Sequence, residues 1–105
     1  MPLAVNKCKV TVVKRSVNQD LADQYLDAEG FQACDRFQDG QEFIVEHPWH
    51  MPQGFGCASA WADIRNDVML VASGGTLPWI KPRGAAISGC TDWFRPVIFK
   101  IERLA

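Results

Sequence analysis

Apolar and polar residues alternate from Cys8 to Val13, and the run closes on Lys14-Arg15. This is the period-two pattern of a half-buried opening strand, with Cys8, Val10 and Val12 sharing one face. Asn18 stands where a helix cap belongs, and Gln19 to about Leu26 reads as a short helix. It is expected to bury Leu21 and Tyr25, one turn apart, and to fray into Asp27-Ala28-Glu29-Gly30. Asp39-Gly40 marks a tight turn, after which Glu42-Phe43-Ile44-Val45-Glu46 reads as a second strand. Phe37 and Phe43 then pack near each other across that turn. His47 to Gly56 holds two prolines, two glycines and the large apolar residues Trp49, Met51 and Phe55, a density that no regular element tolerates. An ordered loop is expected there.

The longest element comes next. Cys57, Trp61, Ile64, Val68 and Val71 recur at spacings of four, three, four and three, which on a helix is a stripe roughly 80° wide. A helix is therefore predicted from about Cys57 to Ser73, stopped by a left-handed cap at Gly74-Gly75. Leu77 to Gly84, with Pro78-Trp79 and Pro82, is irregular. Ala85 to Cys90 and Pro96 to Arg103 read as strands around a turn at Thr91-Asp92-Trp93-Phe94, with Pro96 opening its strand or lying at an edge. One long helix, one short helix and about four strands without βαβ alternation predict a single α+β domain over residues 1–105. Its small, mainly antiparallel curved sheet packs on the long helix.

Composition narrows the function classes. A chain of 105 residues with 48% apolar and 22% charged residues is expected to be a soluble globular domain. The uncharged run Met69 to Ile80 is too short and too broken by Gly and Pro for a bilayer span, so no membrane partner is expected. Eleven Lys and Arg against twelve Asp and Glu leave a net charge of −1, without the basic excess that nucleic-acid binding rewards. Met1 to Lys7 carries no secretory pattern, so the expected location is cytoplasmic, and Cys8, Cys34, Cys57 and Cys90 are expected as free thiols rather than two disulfides.

Several segments are familiar in order. Cys34, Gly40-Gln41-Glu42-Phe43, Met51-Pro52-Gln53-Gly54-Phe55 with Cys57, Gly74-Gly75, Pro78-Trp79, Cys90-Thr91-Asp92 and Arg95-Pro96-Val97-Ile98-Phe99-Lys100 cover nearly the whole chain. Together they resemble a family of short prokaryotic proteins that run from a K-V-x-V opening strand to an R-P-V-x-F-K closing strand. That family has no established activity. The resemblance implies a prokaryotic single domain and draws attention to Cys34, Cys57 and Cys90, but names no substrate. The chain departs from the family pattern at Ala58, where a proline is expected after the cysteine, and at Thr91, where another is usual. Cys8 falls outside the pattern and reads as core filling.

Cys57 is the most informative candidate. A helix start favours its thiolate while apolar burial favours the neutral thiol, so it reads either as a nucleophile or metal ligand opened by Gly54-Phe55-Gly56, or as a small hydrophobe under that loop. Cys34, Cys57 and Cys90 are a candidate set of ligands for zinc or an iron–sulfur cluster, with His47, His50 or water as a fourth. Successive cysteines lie 26, 23 and 33 residues apart, however, with no close pair of the kind structural zinc sites use. A Cys34–Cys90 or Cys57–Cys90 redox bond is a further reading. Asp92 is expected to cap the hairpin turn, and Arg95 to hold Asp92 or bind an anionic ligand. Trp61 belongs to the buried stripe, whereas Trp49, Trp79 and Trp93 lie in irregular segments and either pack as core, line a pocket or form an interface. Met69 and Leu70 project away from the stripe and favour a homodimer. No common nucleotide, metalloprotease, hydrolase or C-x-x-C signature occurs. Three classes remain: a binding module that holds a small ligand or soft metal among Cys57, Trp79, Cys90, Asp92 and Arg95, a thiol enzyme with Cys57 as nucleophile, and a homo-oligomeric interaction protein.

Overall fold

The computed structural model describes residues 5–27 and 29–104; part of the opening segment read for a secretory signal, residues 1–4, and Ala28 in the expected fray lie outside the described residues. Strands β1 (Cys8–Arg15), β2 (Glu42–Val45), β3 (Ala85–Gly89) and β4 (Val97–Arg103) form one antiparallel sheet in the order β2-β1-β4-β3. Helices α1 (Gln19–Tyr25) and α2 (Ala58–Ala72) complete an α+β fold. The period-two pattern decides the faces. Cys8, Val10 and Val12 of β1 are buried beside Phe43 and Val45 of β2 and Phe99 and Ile101 of β4. Trp61, Ile64, Val68 and Val71 of α2 are buried with them in one core cluster. The opposite face carries Lys9, whose ammonium lies 3.3 Å from Glu42 and 3.5 Å from Glu102. The hydrogen bond to Glu42 is the main cause that holds Lys9 above the ordinary lysine pKa.

A β-bulge between Val12 and Lys14 adds one residue to β1 against β4. Strict alternation would give the inner face to Lys14; the extra residue, Val13, hands it to Arg15, which pairs with the buried Val97. An arginine at the end of an otherwise apolar row can therefore reach the segment that runs over the sheet. Its Nη1 donates to the Cys34 carbonyl at 2.8 Å and to the Phe37 carbonyl at 2.9 Å, and its Nε to Asp39 Oδ1 at 3.0 Å.

Aromatic packing holds the loops. Phe37 meets Phe43 edge-on at 6.1 Å, as the turn between them predicts, and meets Phe55 at 5.0 Å and Phe99 at 5.2 Å. Each such pair contributes about 0.5–1.5 kcal/mol beyond the area it buries. Phe55 also touches Trp61 of α2, so both long connections are pinned to the core by a phenyl ring.

Helix α2 ends as its two glycines predict. Gly75 N–H donates to the Leu70 carbonyl and Gly74 N–H to that of Val71, with Gly74 at φ +93°, a Schellman cap. The last turn has no basic residue of its own, and Arg103 of β4 supplies one, donating to the Val71 carbonyl at 3.0 Å and the Gly75 carbonyl at 3.3 Å. Met69 and Leu70 are half-buried rather than exposed, which removes the observation that favoured a homodimer.

The short helix differs from expectation. It buries Ala22, while Leu21 is exposed and Tyr25 is 67% exposed. Asn18 does not cap it with its side chain but donates Nδ2 to the Trp93 carbonyl, and its backbone N–H to the Phe94 carbonyl. The helix is thereby tied to the turn between β3 and β4, and its smallest residue faces the protein. Among the described residues no helix is long and apolar enough to cross a membrane.

Candidate functional site

Five of the candidate residues line a single cleft. Cys34, Cys57, Cys90, Asp92 and Arg95 meet there with Arg36, Ser59, Asp63 and Thr91 around a volume of about 480 Å³. Three pieces of chain form its walls: the Cys34–Phe37 segment held by Arg15, the start of α2, and the turn between β3 and β4.

Cys57 does not belong to the buried stripe of α2. Its backbone is extended, at φ −151° and ψ 111°, so it is the residue before the first helical turn, and its half-buried sulfur accepts the Ala60 N–H at 3.4 Å. A sulfur thus takes the place usually held by a Ser, Thr or Asp oxygen. The spacing of four to Trp61 kept Cys57 in phase with the stripe without making it helical. The amides of Ala58 and Ser59, in the first turn, have no intrahelical acceptor and point toward the cleft end of the helix. No acidic residue lies in that turn.

The β3–β4 turn is organised by Asp92, as predicted. Its Oδ1 accepts the Phe94 N–H at 3.0 Å and the Arg95 N–H at 3.1 Å, and its Oδ2 accepts Arg95 Nε at 3.4 Å. Arg95 also lies 5.3 Å from the Phe31 ring. Its two Nη groups have no protein partner among the described residues. Cys90 closes the same hairpin, its sulfur accepting the Val97 N–H at 3.2 Å. All four cysteines are free thiols, as expected, so neither redox bond is formed here. Burial raises the Cys8 thiol above its ordinary value, opposed by the charge of Arg103.

Other candidates are not brought together. Trp79 is absent from the cleft lining and is 74% exposed. Trp93 is also exposed, and Trp49 stacks on His47 at 5.2 Å, so the three loop tryptophans do not converge on one pocket. His47 and His50 line a different hollow with Ile44, Glu46 and Met51, which separates them from the thiols they were to join. Among the described residues no group of three or more His, Cys, Asp or Glu is arranged to hold a metal ion. Cys34, Cys57 and Cys90 share a cleft without forming a coordination shell.

Sequence reasoning missed Asp63, Arg36 and Ser59. Asp63 Oδ2 accepts both the N–H of Thr91 at 2.8 Å and its hydroxyl at 2.9 Å, and one turn later Asp67 accepts the Ser88 hydroxyl at 2.6 Å. Two carboxylates four residues apart on a helix share a face and repel unless each finds a donor, and that spacing was the available signal. Arg36 donates to the Gly56 carbonyl at 3.3 Å. A Cβ at Gly56 would lie 2.8 Å from the Arg36 carbonyl oxygen, so the glycine permits two walls to touch.

Fold and site together define an α+β domain with a thiol-lined cleft between loop, helix start and hairpin turn. No protein-family model, curated protein or solved structure matches the chain.

Proposed function

We propose that this chain is a small-molecule binding module, and that its ligand presents an anionic group to Arg95, Arg36 and the start of α2. The observation that carries the reading is the hydrogen-bonding capacity left over in the cleft. Asp63 and Asp92 are both engaged by donors of the hairpin turn. What remains is the Nη groups of Arg95, most of the exposed Arg36 guanidinium, the Ser59 hydroxyl and the first-turn amides of α2. Apart from Asp63 Oδ1, the unspent groups of the cleft are donors, and that excess of donors suits a carboxylate or phosphoryl oxygen. Its volume lies within the range of small-ligand pockets.

Titration of isotope-labelled protein with inorganic phosphate and with citrate, followed by amide NMR, tests this. Saturable shifts at Cys57–Ala60 and Thr91–Arg95 with a Kd of about 1 mM or tighter, lost in Arg95→Met, are expected. Absence of saturation with both probes, or an unchanged response in Arg95→Met, overturns the reading.

A second reading, self-association, is favoured by the exposure of Trp79 and Trp93. Light scattering that gives a monomer mass at about 1 mM chain rejects it.

A further inference from the structure

We infer that the cleft performs thiol–disulfide exchange, with Cys57 as the attacking thiol and a low-molecular-weight, carboxylate-bearing disulfide as its substrate. The inference rests on the cleft being the ligand site proposed above, and adds the reaction and the chemical class.

The first argument is elimination among nucleophilic reactions. Acyl or phosphoryl transfer by a thiol needs a group that moves protons to the leaving atom. Asp92 spends both of its oxygens on its own turn and Asp63 Oδ2 is held by Thr91, which leaves Asp63 Oδ1 as the one open carboxylate oxygen, and both histidines lie in the other hollow. Exchange with a disulfide has no such need. It requires a thiolate, a sulfur–sulfur bond accessible in line, and departure of a second thiolate. The cleft supplies three thiols, no histidine and a single open carboxylate oxygen on Asp63, and that combination fits exchange better than hydrolytic chemistry.

The second argument selects the thiol. Cys34, Cys57 and Cys90 are all half-buried and face the cleft. Cys57 alone stands at the start of a fifteen-residue helix, beside the amides of Ala58 and Ser59 that would receive a substrate carboxylate. Negative charge on the attacking sulfur and on the substrate then faces the same helix end and the Arg95 guanidinium. The sulfur of Cys90 is turned back on its own hairpin through Val97.

The reaction balances without any further redox partner. The Cys57 thiolate attacks one sulfur of the disulfide R–S–S–R, a Cys57–S–S–R bond forms, the original S–S bond breaks, and its electron pair leaves with R–S⁻. Attack by a second small thiolate on the Cys57 sulfur's partner returns Cys57 as thiolate and releases a new disulfide. Cys57 is oxidised in the first step by the disulfide, which is reduced to one thiol and one half-molecule held on the protein.

The experiment compares oxidised glutathione, which is anionic, with cystamine, which is cationic, at equal concentration and neutral pH. Intact mass and peptide mapping follow adduct formation. The expected result is one adduct, on Cys57, formed at least about tenfold faster from the anionic disulfide, with that advantage lost in Arg95→Met and in Arg36→Ala, and with no adduct formed at that rate in Cys57→Ser. Circular dichroism confirms that each variant is folded, and the exposed position of Arg36 keeps the charge test available if Arg95→Met does not fold. An adduct that forms first on Cys34 or Cys90, or equal rates for the two disulfides, overturns the inference. S-methylglutathione, which binds without exchange, separates the two readings. If it shifts the Cys57–Ala60 amides while no adduct forms, exchange is rejected and the binding reading stands; if it neither shifts them nor slows adduct formation, both are rejected.

Discussion

Replacing Arg15 with Met tests how the cleft wall is held. The substitution keeps much of the side chain's apolar length but removes the donors to the Cys34 carbonyl at 2.8 Å, the Phe37 carbonyl at 2.9 Å and Asp39 at 3.0 Å. Hydrogen bonds to a charged group contribute about 1.5–3 kcal/mol each, and the two carbonyl bonds carry most of the effect. The Asp39 side chain is 67% exposed, so its ion pair adds less than about 1 kcal/mol. After allowance for partial rehydration of the freed carbonyls, the expected loss is about 3 kcal/mol. With an m-value of about 1.5 kcal/mol/M, typical for a domain of this size, the urea midpoint falls by about 2 M. Asp39→Asn is the control and should cost less than about 1 kcal/mol. Arg15→Lys should recover less than half, since the lysine nitrogen stops one bond short of the Nη1 position that serves both carbonyls and brings no separate Nε donor for Asp39. Alkylation of Cys34 should accelerate in Arg15→Met while that of Cys90, held from Val97, does not. If Arg15→Met and Asp39→Asn unfold within about 0.5 kcal/mol of each other, the carbonyl bonds contribute nothing and the account of the bulge fails.

Other predictions follow from single contacts. Cys8 ionises near pH 8.5 in an unfolded chain, and burial raises that value in the fold, so the native state keeps a proton that the unfolded state loses. Stability is therefore unaffected below about pH 8 and falls by up to about 1.4 kcal/mol per pH unit above it; Cys8→Ala should be less stable at pH 7 yet show a flatter alkaline limb in urea unfolding, and parallel limbs would refute the assignment. Arg103→Met leaves the Val71 and Gly75 carbonyls without their guanidinium donor and should cost about 1–2 kcal/mol, with hydrogen exchange accelerating at Ser73–Gly75 rather than at Cys57–Ala60. Gly56→Ala forces a Cβ to within 2.8 Å of the Arg36 carbonyl and should cost about 1–3 kcal/mol by thermal melting while raising the alkylation rate of Cys57; an unchanged rate would show that the two walls do not depend on that contact.

How far the sequence shows this arrangement depends on which contacts are periodic. The strands and α2 were legible because Cys8-Val10-Val12 and Trp61-Ile64-Val68-Val71 repeat at the periods of a strand and a helix, and the Gly74-Gly75 stop has a single backbone solution. Asp92 was legible because an Asx turn is local: both amides it accepts lie within three residues. Cys57 was placed on the wrong side of a boundary, since the residue before a helix can stay in phase with a stripe it does not join. Trp79 looked like part of the site through its proximity in sequence to other marked segments, yet no contact brings it to the cleft.

The features that build the cleft are the non-local ones. Whether Lys14 or Arg15 turns inward depends on Val13, an apolar residue that suits a regular strand as well as a bulge, and no pattern in β1 distinguishes the two. The decision is made by β4, about eighty residues on, where Val97 takes the inward register beside Arg15. Once Arg15 is inward, the Cys34–Phe37 wall has donors; once Asp63 and Asp67 hold Thr91 and Ser88, the hairpin turn is fixed against the helix that begins at Cys57. The three thiols are thus neighbours because two sets of charged side chains tie loop to sheet and helix to hairpin. A site of this kind has no spacing motif to find, and its loss should follow from changing Arg15 or Asp63 as readily as from changing a cysteine.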